Sequence, residues 1–271
     1  MTSALNAAFG VGMQFSAVDA CFSKHAIYRD GFLHVLATRD GNNRVLPLAW
    51  AICETESGDT YEWFAEQCYD SGLGRYLDRP CSVVFSDRQK GVTRFFGRWR
   101  AYHAFCFKHV LDNCVKYVKG SGQTFSPKLA WNMRNANTEA SFQGALAILR
   151  RSSPLAAHYF DTKVDHDHTY QYRLNALKIA THGFKTSQIV ECVNGVFVKA
   201  RHFTPYRMNN MILNWIGEQY AARLQEITKW IAKGHVLTPY AAGLFKIEVS
   251  VGPKAWAPRV SQCWARAQGL F

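Results

Sequence analysis

This chain of 271 residues lacks any uninterrupted apolar run near the roughly 18 residues of a membrane-spanning helix, so no membrane is expected as a partner. Its first twelve residues carry no basic cluster followed by an apolar stretch, so no secretory signal is expected either. CxxC pairs are missing: the eight cysteines stand singly at 21, 53, 68, 81, 106, 114, 192 and 263. That scatter argues against a disulfide framework and fits reduced thiols inside a cell. The chain also has no internal repeat and no low-complexity tract, which sets aside solenoid and disordered architectures.

What is present points to a packed, two-part chain. Hydrophobic residues make up 48% and aromatics 14%, enough for a large core and too much for disorder. The net charge of +12 is unevenly spread. Residues 1–112 hold 12 basic and 12 acidic side chains, whereas residues 113–271 hold 20 and 8. A basic second half calls for an anionic partner, and nucleic acid is the natural candidate because Lys and Arg neutralise phosphates. Charge alone does not separate that reading from plain solubility.

The order of elements is an α/β pattern with a mixed sheet. Phe15–Phe22, Phe32–Thr38 and Val45–Cys53 read as strands, with Asp40-Gly-Asn-Asn43 as a hairpin turn between the second and third. A helix capped by Asp59 or Thr60 runs to about Asp70, and Cys81–Ser86 is a short central strand ending at Asp87. A helix with Val92, Phe95 and Phe96, a strand His103–Cys106 and a helix from Lys108 to about Val118 follow. Beyond residue 120 the chain turns helical, clearest at 139–151, 169–180, 186–199 and 205–230, with a loop containing Pro154 and Asp165-His-Asp-His168. The tail 234–271, with three prolines, reads as loosely structured.

Two carboxylates stand where chemistry is done. Asp19 interrupts an apolar strand, which is costly unless the charge is paired or binds a cation. Asp87 lies at the carboxyl end of the fourth strand, where open α/β sheets place ligands. If the first and fourth strands are parallel neighbours, the two share a cleft that Mg²⁺ or Mn²⁺ would suit. The alternative is an exposed Asp19 and an Asp87 that only caps a helix. Glu191 stands among Ile189, Val190, Val193 and Val196, so it reads as inward-looking, whereas Asp165 and Asp167 read as a solvated loop. Cys106-Phe-Lys-His109 has no second ligand pair at a zinc spacing, so no zinc site is predicted. Trp63, Trp99, Trp131 and Tyr170 are candidates for base stacking, with Trp63 read as core.

Three ordered stretches carry a resemblance. The first is Val18-Asp19-Ala-Cys-Phe22 with Asp40-Gly-Asn-Asn43, Leu46-Pro-Leu-Ala-Trp-Ala51 and Glu62-Trp63-Phe64. The second is Phe85-Ser86-Asp87-Arg88-Gln-Lys90-Gly91, leading into His103-Ala-Phe-Cys106-Phe-Lys-His109-Val-Leu-Asp-Asn113. The third is His182-Gly-Phe-Lys-Thr186-Ser187-Gln188-Ile-Val-Glu191-Cys192-Val-Asn194, continued by Arg201-His-Phe-Thr-Pro205. Over residues 14–216 the chain resembles the Mutator-like element (MULE) transposase domain, although Gln188 and Cys192 stand where that family has Asn and Ser.

The resemblance implies a ribonuclease-H-like mixed five-stranded sheet flanked by helices, with a helical insertion before the last catalytic helix. It divides the chain into a lead-in 1–13, a catalytic domain 14–216 and a helical, loose tail 217–271. Within that domain, 14–112 would be the sheet core, 113–185 the insertion and 186–216 the helix with the third acid. Asp19, Asp87 and Glu191 match the acids of an Asp-Asp-Glu triad holding two Mg²⁺ or Mn²⁺ ions. Cys106 and His109 match the family's C/DxxH pair. Arg88, Lys90, Lys185, Lys199, Arg201 and Arg207 are the cations nearest these motifs for DNA contact. The implied function is DNA strand cleavage and strand transfer, in the nucleus, by a homodimer or higher oligomer. The alternative is a domesticated or truncated relic that binds DNA without cutting it. The family's flanking zinc-type domain and CxC…CxH finger have no matching pattern in these residues.

Overall fold

The computed structural model describes residues 15–78 and 82–251, apart from the side chains of 76, 90 and 247–251. Five strands form one mixed sheet: β1 (Phe15–Phe22), β2 (Phe32–Arg39), β3 (Val45–Cys53), β4 (Val83–Ser86) and β5 (Tyr102–Phe105). Their spatial order is β3-β2-β1-β4-β5. β1, β2 and β3 are an antiparallel meander, and β4 and β5 add parallel to β1. The hairpin between β2 and β3 turns at Asn43, whose φ of 62° lies in the left-handed region that asparagine tolerates. Its Asp40 carboxylate accepts the backbone N–H groups of Asn42 and Arg44, both at 2.9 Å.

Strand alternation divides the core. Val18, Leu36 and Val84 face one layer, built on α1 (Gly58–Cys68) with Tyr61, Phe64, Ala65 and Cys68. Phe15, Ala17, Val35, Val83 and Phe85 face the other, against α8 (Gln188–Val196) and the start of α9 (Pro205–Ala232). The helix α1 is capped by Ser57, not by the expected Asp59 or Thr60. Ser57 Oγ accepts the Thr60 N–H at 3.2 Å while Thr60 Oγ1 accepts the Ser57 N–H at 3.0 Å, a reciprocal box that fixes where the helix starts. Buried positions 61, 64, 65 and 68 fall on one face, so Trp63 points outward and is 47% exposed, correcting its reading as core. A short helix α2 (Gly74–Leu77) ends this connection.

After β4 the chain makes a 3₁₀ turn, Lys90–Phe96, where a longer helix was expected. Gly91 there lies so close to α1 that a Cβ would come within 2.9 Å of the Gly58 nitrogen. Only glycine fits.

Between β5 and α8 lies a helical cluster with its own core: α3 (Phe107–Val118), α4 (Pro127–Arg134), α5 (Glu139–Ser152), α6 (Pro154–Thr162) and α7 (Gln171–Ala176). Pro154, expected in a loop, opens α6 at its first position, where proline's missing N–H costs nothing. The helix expected at 169–180 is shorter, stopping at Ala176. Asp165–His168 is an irregular turn with Asp165 exposed and the Asp167 side chain 45% exposed, as expected of a solvated loop, although its backbone is pinned to β5. The Phe105 N–H donates to the His168 carbonyl at 2.7 Å, and the Tyr102 hydroxyl donates to the Asp167 carbonyl at 3.0 Å.

α9 spans 28 residues, about 42 Å at 1.5 Å per residue. Its buried Arg223 holds Asp40 at 2.9 Å and the Val45 carbonyl at 2.7 Å, tying the helix to the hairpin. The tail expected to be loose forms α10 (Pro239–Val251) as far as it is described, and residues 252–271 lie outside the described residues. No described helix is long and apolar enough to cross a membrane.

Candidate functional site

Strand register builds the site. Ala17 of β1 pairs with Phe85 of β4, and Ser86 of β4 pairs with Phe105 of β5. Counting on, Asp19, Asp87 and Cys106 come level in one row at the carboxyl ends of three neighbouring parallel strands. The Cys106 N–H continues the ladder by donating to the Ser86 carbonyl at 2.7 Å. The row begins between β1 and β4, where the chain order reverses, the place at which open α/β sheets bind ligands. Asp19 shares the parity of Phe15 and Ala17, so it faces the layer that contains α8 and Glu191.

The acids crowd one another. Removal from water, with the Asp87 charge as the second cause, pushes the Asp19 carboxyl up to about 7. The Ala20 N–H (2.9 Å) and His109 pull it down, while Glu56 adds to the rise. Asp87 Oδ1 accepts the Gln89 N–H at 3.0 Å. Glu56, which the sequence reading passed over, is a third carboxylate of this cluster. Burial raises its pKa and the Asp87 charge adds to that, against the buried Tyr61 hydroxyl, which donates to its Oε1 at 3.0 Å. The one available signal was its place in the short link between β3, which ends at Cys53, and the cap Ser57.

Burying this carboxylate beside a second acid has a measurable cost. The unfolded chain releases the Asp19 proton near 3.8, whereas the folded chain keeps it until about 7. Stability contributed by this group is therefore lost as pH rises across that window and stays lost above it. Asp19→Asn removes the penalty. At pH 8 without divalent ions the variant should be more stable by on the order of 2 kcal/mol, with the advantage gone near pH 4. Thermal melts at the two pH values check it, and an Asp19→Asn chain equal to or below wild type at pH 8 would contradict it.

A second group flanks the row. Cys106 caps α3 and is fully buried, and His109 stands one turn along the same helix. Ser187 caps α8, whose first turn carries Glu191. Burial works to raise the Cys106 thiol, but the His109 imidazole, the Ser187 hydroxyl and the backbone N–H groups of both residues outweigh it and hold the thiol below its ordinary range. The Cys106 thiol beside it, opposed by burial and helped by the charges of Asp19 and Asp87, raises His109 to about 9. His109 Nε2 lies 4.0 Å from Glu191 Oε1. Glu191 is 42% exposed at its side chain, so the inward orientation expected of it is corrected to a half-open one beside His109.

The expected cations scatter. Arg88 donates to the Tyr159 hydroxyl at 3.0 Å and the Lys163 carbonyl at 2.7 Å, fastening the loop after β4 to the helical cluster. Arg201 donates to the Phe22 carbonyl at 2.8 Å, next to the row's β1 end. Arg207 stacks on Phe203 at 4.0 Å, and Lys199 is exposed. Lys185 is partly buried in the segment leading to α8, its carbonyl accepting the Phe107 N–H, and the side chain of Lys90 lies outside the described residues. Of the stacking candidates, Trp99 and Tyr170 are buried and Trp131 packs on Phe107 at 4.8 Å.

Asp19 and Asp87 offer oxygen donors, the kind that a hard divalent cation such as Mg²⁺ or Mn²⁺ prefers, and a cation there would offset the burial and the Asp87 charge that raise Asp19. The chain matches no protein-family model and no curated protein.

Proposed function

We propose that this chain is a metal-dependent DNA strand-transfer enzyme of the Mutator-like transposase class, built on a ribonuclease-H-like sheet. The observation that carries the reading is the level row of Asp19 and Asp87 on adjacent parallel strands, with α8 and its Glu191 on the same side. The sheet order β3-β2-β1-β4-β5 is the one such a fold requires, and the helical cluster falls between the second and third acids.

In this reading Asp19 and Asp87 form the fixed part of the site, because both are held at strand ends. Glu191, on a helix and half exposed, is the mobile third carboxylate. Bound Mg²⁺ or Mn²⁺ would supply charge neutralisation and activate oxygens for in-line phosphoryl transfer. Glu56 tunes the charge of the pair from below, through Tyr61. Lys199, Arg201 and Arg207 follow α8 in the chain, and Arg201, bonded to the Phe22 carbonyl past Asp19 on β1, is the one best placed for a phosphate contact. DNA is the substrate, transposon ends and target are its two forms, and a homodimer would hold the two ends. A nuclear location is the one this reading expects.

A second reading is a DNA-bound protein that no longer cuts. It draws on the placement of Glu191 beside His109. Incubating supercoiled plasmid with the purified chain in Mg²⁺ or Mn²⁺ separates the two. Conversion to nicked circles, stopped by a chelator, supports the enzyme. Binding without nicking under every metal condition supports the relic.

A further inference from the structure

Among the described residues, Cys106, His109 and Glu191 are the one set of three potential metal-ligating side chains whose donor atoms all lie within 4.8 Å of one another. The geometry points to a second metal site here, for a thiophilic divalent ion of the zinc class, distinct in chemistry from the oxygen cluster of Asp19, Asp87 and Glu56.

The sequence offered half a zinc site, a CxxH without a second ligand pair. The fold supplies the missing ligand from elsewhere, because α8 brings Glu191 to within 4.0 Å of His109. Cys106 and His109 lie three residues apart at the start of α3, so their side chains share one side of it. The sulfur sits where two helices begin, at the cap of α3 and against Ser187, the cap of α8. Helix N-termini favour an anion such as thiolate. Ser187 Oγ is fully buried with no hydrogen-bond partner, and it lies beside that sulfur. His109 Nδ1 is also buried without a partner.

Size fits as well. Zinc bonds of about 2.0–2.3 Å put tetrahedral ligands roughly 3.3–3.8 Å apart. Closing the present spacing needs a shift of about 1 Å, which the half-exposed His109 and Glu191 side chains can make while buried Cys106 stays fixed. Three protein ligands leave a fourth position toward solvent. Mixed sulfur, nitrogen and oxygen donors favour zinc-class ions over Mg²⁺. One consequence rests on the proposed function: Glu191 cannot serve both clusters at once, so a zinc-class ion would hold it away from Asp19 and Asp87 and inhibit cutting.

Cobalt(II) titration of the reduced, chelator-treated full chain tests the site without any activity assay. One equivalent should bind with a thiolate-to-cobalt charge-transfer absorption, and Zn²⁺ should displace it. Cys106→Ser should abolish the band. His109→Gln and Glu191→Gln, both at partly exposed positions, should weaken binding by about tenfold or more. Cys192→Ser, at the exposed neighbouring thiol, and Asp19→Asn should leave the band in place. Cobalt binding without the band, a band that survives Cys106→Ser, or affinity unchanged in both His109→Gln and Glu191→Gln overturns the site. Because the readout is spectroscopic, loss of plasmid nicking alone leaves this result standing, and zinc inhibition of nicking is scored separately.

Discussion

Under the proposed function, Asp87→Asn should lower Mg²⁺-dependent nicking by about 10²–10³-fold or more while leaving the fold intact. The substitution keeps size and keeps an oxygen to accept the Gln89 N–H, so the loop after β4 retains its turn. It removes only the charge. If Asp19 and Asp87 act as one anionic pair at the strand ends, losing either charge removes most of the attraction for a hard cation. Asp19→Asn should therefore match Asp87→Asn in activity although it gains stability, a split that a structural role would not give. Glu56→Gln, one step further from the row, should cost much less. Nicking by Asp87→Asn at the wild-type rate would remove the pair from the chemistry.

Phe142→Ala destabilises the chain by about 3–5 kcal/mol. Phe142 is fully buried and its ring meets Tyr170 at 4.7 Å, Tyr172 at 4.9 Å and His166 at 5.2 Å. It is the residue of α5 that joins that helix to the segment docked on β5. Truncation leaves a cavity among the aromatic rings of Tyr170, Tyr172 and His166. The melting temperature should fall by roughly 10 °C, since each kcal/mol shifts it by about 2–4 °C at this size. Ile148→Ala on the same helix, 53% exposed, should change stability by less than about 0.5 kcal/mol. A drop of less than about 1 kcal/mol for Phe142→Ala would show that the helical cluster has no core of its own.

The strands were legible in the sequence because alternation and apolar runs have a short period that local residues settle. Phe15–Phe22 and Val45–Cys53 sit where the pattern puts them. Helix phase was harder: Trp63 looks apolar, yet only positions 61, 64, 65 and 68 share the buried face. Pro154 reads as a breaker until Ser153 is seen to cap the helix it opens, with its Oγ accepting the Ala156 N–H at 3.3 Å. Asp165–His168 keeps its carboxylates open to solvent, yet contacts with β5, more than 60 residues away, pin its backbone in a way that no local pattern encodes.

The site was partly legible for the same reason. Asp19 and Asp87 announce themselves as charges at apolar strands. Glu56 does not, because its role comes from Tyr61 and from the turn that Ser57 fixes. Cys106 and His109 were visible as a pair, but their third neighbour, Glu191, comes from a helix some 80 residues later, and no local pattern encodes that approach.

The most direct measurement is anomalous diffraction from crystals of the full chain soaked in Mn²⁺. The account predicts a manganese peak between the carboxylates of Asp19 and Asp87, absent in crystals of Asp87→Asn. Manganese bound elsewhere, with no peak at that pair, would contradict it.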